Sequence, residues 1–138
     1  MRLFVPLTLL VACGGSPPSP PVDPAARRAA WHAALQAEVG AGWDQPVPGV
    51  DAADPAVGAE VYAKTCRGCH GDRGAGDGPR APALNPPPGN LRTTALPEAG
   101  RLAAIRAGSP GTAMAAYGKR LPDDQLLAVT RYLRELRD

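Results

Sequence analysis

Residues 66–70 read Cys-Arg-Gly-Cys-His, and the next eight are GDRGAGDG. Two thiols, an imidazole and a glycine-rich turn so close together suit four kinds of chemistry: a phosphate cradle, a structural zinc site, a redox dithiol or a covalent haem tether. A phosphate loop needs Lys and then Ser or Thr after its last glycine, but Pro79 and Arg80 follow Gly78. Structural zinc takes four ligands in two spaced pairs. Beyond Cys66, Cys69 and His70, the chain offers only Cys13, His32 and scattered carboxylates. A thioredoxin-like dithiol sits among alternating strands and helices, whereas residues 71–97 are crowded with glycine and proline and no strand pattern occurs. The tether remains. Two cysteines on one short helical turn reach the two vinyl groups along one porphyrin edge, and the adjacent histidine offers imidazole to the iron. Cys66 and Cys69 are therefore the expected covalent attachments of one haem c, with His70 as an axial ligand.

An iron held by one histidine has a sixth position, for which proteins use methionine, a second histidine or nothing. The count is short. Met1 opens a leader sequence, which leaves Met114; apart from His70 the only other histidine is His32, well before the motif. Met114 lies in GSPGTAMAAYGKRLP, residues 108–122, a loop punctuated by Gly and Pro. A lone methionine often fills gaps in a core, but a loop is a poor place for that role. Met114 is the expected sixth ligand.

The elements that must position these residues are helical. Residues 54–65 begin with Asp54 as a cap and Pro55 in the first turn. Residues 97–108 form a short helix with Leu102 and Ile105 facing inward, and 122–137 form a final one. There Leu126, Val129, Leu133 and Leu136 make a stripe at helical spacing, with Tyr132 beside it. Asp123 and Asp124 suit its N-terminal end, and Arg134 and Arg137 its last turn. From residue 54 onwards the only aromatics are Tyr62, Tyr117 and Tyr132. A small domain so equipped buries little surface of its own, and an apolar porphyrin disc would supply the missing bulk.

The N-terminal part has a different character. Met1 and Arg2 precede LFVPLTLLVA, which is too short to span a bilayer and reads as a signal peptide over residues 1–12. Leu10-Val11-Ala12-Cys13 resembles the lipobox of bacterial lipoproteins, making Cys13 the expected lipidation site. Residues 13–24 form a Pro/Ser-rich linker with a reach of about 30 Å. Residues 25–40 read as an arm helix capped by Asp23, opened by Pro24 and stopped by Gly40. The arm and its connector fill 25–53, and the main domain 54–138. The net charge of +2 includes no basic run of the kind that tracks nucleic acid.

With these residues placed, the chain resembles a class I cytochrome c over residues 54–138: Gly58 and Tyr62 on the first helix, C-R-G-C-H, a glycine-rich loop, G-T-x-M around Met114, and Tyr132-Leu133 on the last helix. The resemblance implies an all-α fold whose N- and C-terminal helices cross beside a covalently bound haem, touching through Gly58, Tyr62, Tyr132 and Leu133. It gives thioethers at Cys66 and Cys69, and iron ligation by His70 and Met114. It also gives a proline carbonyl behind the histidine, for which Pro79 and Pro82 both qualify. Two ligands close the iron to substrate, so the expected function is one-electron transfer between respiratory redox proteins, without a small-molecule substrate. The chain would then be a carrier or a subunit of a larger oxidoreductase, held by lipid on the periplasmic side of a bacterial membrane. The alternative is a haem peroxidase or a gas or redox sensor with a labile sixth ligand. Ala115 stands where many relatives place proline after the methionine. Residues 54–138 carry twelve Lys/Arg against nine Asp/Glu, an excess that would steer an acidic partner through Arg67, Arg73, Lys119 and Arg120.

Overall fold

A computed structural model describes residues 23–137. The expected signal peptide, the lipidation site Cys13 and nearly all of the Pro/Ser-rich linker lie outside the described residues. Among those described, every regular element is helical: α1 (Pro24–Val39), α2 (Pro55–Thr65), the short α3 (Arg67–His70), α4 (Glu98–Ala107) and α5 (Asp123–Glu135). Single 3-10 turns occupy Gly40–Gly42 and Ala81–Ala83. The described fold is all-α, as the resemblance implies.

The local signals operate as read. The Asp23 carboxylate accepts from the amides of Ala25 and Ala26, and Asp54 accepts from Ala56 at 2.8 Å, so each cap satisfies donors that a helix start leaves free. Helix α1 stops at Gly40, whose φ of 62° suits glycine.

Helices α2 and α5 cross in close contact. A Cβ placed on Gly58 would lie 2.1 Å from the Ala128 carbonyl oxygen, so only glycine permits this approach. Tyr62 and Tyr132 meet across the crossing with ring centroids 5.4 Å apart. The main core joins Val61, Tyr62, Leu102, Ile105, Leu126, Val129 and Leu133, which is the stripe of α5 closing on α2 and α4.

A second cluster joins the arm to the region that resembles the cytochrome domain. Leu35 of α1 is buried with Leu96, Ala103 and Ala104, and Trp31, Val39 and Trp43 pack around them. The small side chains of α4 let α1 lie close along it. Trp43 covers Gly100, where an added Cβ would meet the indole ring at 2.7 Å. The arm thus supplies aromatic packing that residues 54–138 lack. Its connector is fastened by charge: Arg134 of α5 donates to both Glu98 of α4 and Asp51, and the Val47 amide donates to Glu98. These bonds hold both carboxyls below their usual range, with the Arg134 hydrogen bond the leading cause for each.

Candidate functional site

Helix α2 ends as the motif begins. Cys66 closes it by donating its amide to the Tyr62 carbonyl, and one further turn carries the rest: the amides of Cys69 and His70 both donate to the Cys66 carbonyl, at 3.1 and 2.9 Å. The structure therefore brings Cys66, Cys69 and His70 onto a single turn. The two cysteines are unlinked thiols. Burial pushes the Cys66 thiol up from its ordinary value.

The glycine-rich run folds back under this turn. Gly76 donates to the His70 carbonyl, Gly78 to Cys69 and Arg80 to Gly68, while the Tyr62 hydroxyl donates to the Gly71 carbonyl at 2.7 Å. Gly78 passes so near that a Cβ there would lie 2.6 Å from both the Arg67 and Gly68 carbonyl oxygens. Glycine is needed here because backbone packs on backbone.

His70 Nδ1 lies 3.0 Å from the Gly89 carbonyl oxygen. A carbonyl only accepts, so Nδ1 carries the proton and Nε2 keeps the free lone pair. Burial, opposed by this hydrogen bond, lowers the imidazole pKa and favours the neutral ring that binds metal. The partner is Gly89, rather than Pro79 or Pro82. The chain returns through the triple proline, where a Cβ on Gly76 would meet the Pro88 carbonyl oxygen at 2.6 Å. Gly89 thereby arrives beside the imidazole.

Met114 belongs to a compact turn on the C-terminal end of α4. Ser109 donates to the Met114 carbonyl, the Met114 amide donates to Thr112 Oγ1, and the Tyr117 and Gly118 amides donate to Ile105 and Arg106. Tyr117 links this loop to the motif: its hydroxyl donates to the Thr65 carbonyl at 3.2 Å. Burial first, and then the adjacent Cys66 thiol, raise its pKa. Met114 itself is half-buried.

The donor set fits a porphyrin-bound iron. Two free thiols share a turn with an imidazole whose outer nitrogen is already engaged, as metal-binding histidines require. Among the described residues no three His, Cys, Asp or Glu side chains cluster to hold a bare ion. Haem iron asks for only one protein ligand per face. Sequence reasoning missed Gly89, Thr65, Tyr117 and Trp31 as parts of the site's support. Of these only Trp31 left a signal, the Trp31, Leu35, Val39 repeat along one face of α1.

An open hollow of about 620 Å³ lies outside the glycine turn, bordered by Arg67, Arg73, Arg92, Asp72 and Asp77. It includes neither cysteine, nor His70, nor Met114, and belongs to the outer surface beside the motif.

No curated protein matches the chain. Among solved structures it resembles a chain of the Kuenenia stuttgartiensis reducing HAO-like protein complex, at 24% identity and a TM-score of 0.55. The alignment covers 68% of this chain and 46% of the other, so this chain spans less than half of that neighbour. At that identity the likeness speaks for the fold alone. The family model described as cytochrome c oxidase, cbb3-type, subunit III matches residues 53–133. With more than half of its length matched, the chain belongs to this family of class I c-type cytochrome domains.

Proposed function

We propose that this protein is a mono-haem c-type cytochrome that carries single electrons between redox proteins on the periplasmic side of a bacterial membrane. Haem-based electron transfer is the chemistry of its family, and one observation carries the finer reading. The imidazole of His70 is fixed by Gly89 at 3.0 Å, on the same turn as two unlinked cysteines. When bound, the haem supplies a one-electron iron couple. Cys66 and Cys69 would tether it, and its iron would be held by His70 through Nε2 and by the Met114 thioether. A thioether opposite imidazole favours the reduced iron and raises the potential. With both positions filled by the chain, no substrate binds, and the protein is a carrier rather than an enzyme.

In this reading residues 1–12 are a signal peptide, Cys13 bears lipid, and residues 13–24 are a tether leading to the arm (25–53) and the haem domain (54–138). Among the described residues no helix is long and apolar enough to cross a membrane, so lipid on Cys13 would hold the protein there. The arginine-rich surface beside the motif would meet an acidic partner. Arg67 there is only loosely paired with Asp72, at 3.8 Å, and is available for recognition.

The test is haem staining after denaturing electrophoresis, then visible spectra with and without carbon monoxide. Thioethers keep haem on the denatured chain, so staining lost in Cys66→Ala/Cys69→Ala is expected. A wild-type reduced spectrum unchanged by carbon monoxide supports the carrier. Ready carbon monoxide binding at neutral pH would instead favour a peroxidase or sensor. Cys13→Ser should release the protein from membranes with its spectrum intact, and a wild type already soluble after gentle lysis would refute the anchor.

A further inference from the structure

Helix α1 lies outside the family match at residues 53–133, yet it touches the root of the Met114 loop. The last carbonyls of a helix have no partner within it, and at the end of α4 these carbonyls build the loop. Ile105 and Arg106 receive the amides of Tyr117 and Gly118, and the Gly108 carbonyl receives the indole N–H of Trp31 at 3.1 Å.

The Gly108 carbonyl and the Ser109 amide are the two ends of one peptide group. Trp31 holds its oxygen, and its N–H donates to the Met114 carbonyl at 3.1 Å. A peptide group is planar, so it turns as a unit. If the indole bond is lost, the group is free to rotate, and rotation takes the Ser109 N–H away from Met114. The surroundings tolerate little movement. Gly108 has a φ of 70°, and a Cβ there would meet the Met114 carbonyl oxygen at 2.8 Å and the Ala116 nitrogen at 2.7 Å. The loop's return strand thus rests on the Gly108 backbone. The indole is anchored in turn, because Leu35, one helical turn on, is 2% exposed among Leu96, Ala103 and Ala104.

We propose that α1 is an external brace for the ligand loop and that Trp31 is a positioning residue for Met114, setting how readily its sulfur leaves the iron. This rests on the reading of Met114 as sixth ligand. Trp31→Phe keeps an aromatic ring in the cluster but removes the N–H donor together with part of the indole's packing volume. One such bond corresponds to roughly a three- to tenfold change in an equilibrium, so the open-loop population should rise by about that factor.

The experiment uses the haem-loaded full chain. Three quantities are read in wild type, Trp31→Phe and Leu35→Ala: the pH at which the near-infrared sulfur-to-iron band disappears, the rate of carbon monoxide binding to the reduced protein, and the midpoint potential. The expected result is band loss at lower pH, carbon monoxide binding faster by about three- to tenfold, and a lower potential in both variants. Variants that melt earlier but keep all three readings at wild-type values overturn the brace and leave Met114 ligation standing. A wild type without the band overturns Met114 ligation itself, and the brace with it. Amide exchange in wild type gives a reading that no variant's folding affects: Ser109 and Met114 should open only together with α1. Loop amides that open while α1 stays protected would count against the brace.

Discussion

On the histidine side of the site, backbone closes on backbone within 12 residues: Gly76 returns to His70, Gly78 to Cys69 and Arg80 to Gly68. On the methionine side, the loop hangs from the end of α4, and its supports come from far along the chain, Trp31 at one end and Thr65 at the other. The first construction is short-range and admits no side chain at Gly78. The second depends on whether distant elements stay docked. A site built this way has one fixed half and one adjustable half. The adjustable half bears Met114, the proposed sixth ligand, whose departure would change the chemistry from electron transfer to small-molecule binding.

The sharpest test of that contrast is a pair of glycine substitutions. Gly78→Ala drives a Cβ to 2.6 Å from two backbone oxygens, and backbone there has nowhere to move. Overpacking of this kind costs about 1–3 kcal/mol, and haem incorporation should fall with it. Gly118→Ala, on the methionine side, places its Cβ 3.1 Å from the Arg106 oxygen, a contact that a small shift relieves. Thermal melts and haem yield should separate the pair. Equal losses would mean that the two halves are equally rigid.

Removing the proposed ligand should spare the fold and change the iron. Met114→Ala deletes a half-buried loop side chain, so the melting temperature should fall only modestly. The near-infrared band should vanish, the potential drop, and carbon monoxide bind. Met1 opens the expected leader and Met114 is the only other methionine, so a band that persists in Met114→Ala would refute the assignment.

Acid should loosen the connector first, because charge holds it to α4 and α5. Asp51 and Glu98 have depressed folded pKa values, owing chiefly to the Arg134 hydrogen bond. A depressed carboxylate gives its stabilisation in full above the unfolded value, about 4, and loses it as pH falls through the folded value. Between pH 5 and 3 the wild-type melting temperature should therefore fall more steeply than that of Asp51→Asn/Glu98→Gln. Exchange of the Val47 amide, which donates to Glu98, should quicken before that of Gly78. Parallel slopes in the two proteins would remove these carboxylates from the account.

What the sequence disclosed follows the same division. Caps, stops and stripes are local, so Asp23, Asp54, Gly40 and the Leu126–Leu133 face were legible, and so was the Cys66–His70 turn. Gly58 against α5 was legible through resemblance, since one glycine four residues from a tyrosine does not by itself name a crossing helix. The partner of His70 was not legible. Gly89 meets the imidazole from 19 residues further along the chain, and no local preference encodes where a long loop comes back. The docking of α1 was half-written in the spacing of Trp31, Leu35 and Val39 and in the alanines of α4, but pairing two such faces requires the tertiary structure.

The smallest expected effect tests a direct hydrogen bond that joins the halves. The Tyr117 hydroxyl donates to the Thr65 carbonyl, one residue before Cys66, so Tyr117→Phe frees the loop's exit while Trp31→Phe frees its entry. Losing one neutral hydrogen bond costs about 0.5–1.5 kcal/mol, and the expected change is a slightly earlier loss of the near-infrared band as pH rises. The tyrosine's own titration sets a window. Its pKa is raised, mainly by burial, so the bond contributes fully below the unfolded value of about 10 and fades as pH climbs through the folded one. Wild type and Tyr117→Phe should therefore converge at strongly alkaline pH. If entry and exit are separate clamps, the double variant should show the sum of the two single effects to within about 0.5 kcal/mol. A smaller combined effect would mean that releasing either end already releases the loop, so that the methionine side opens as one piece against a fixed histidine side.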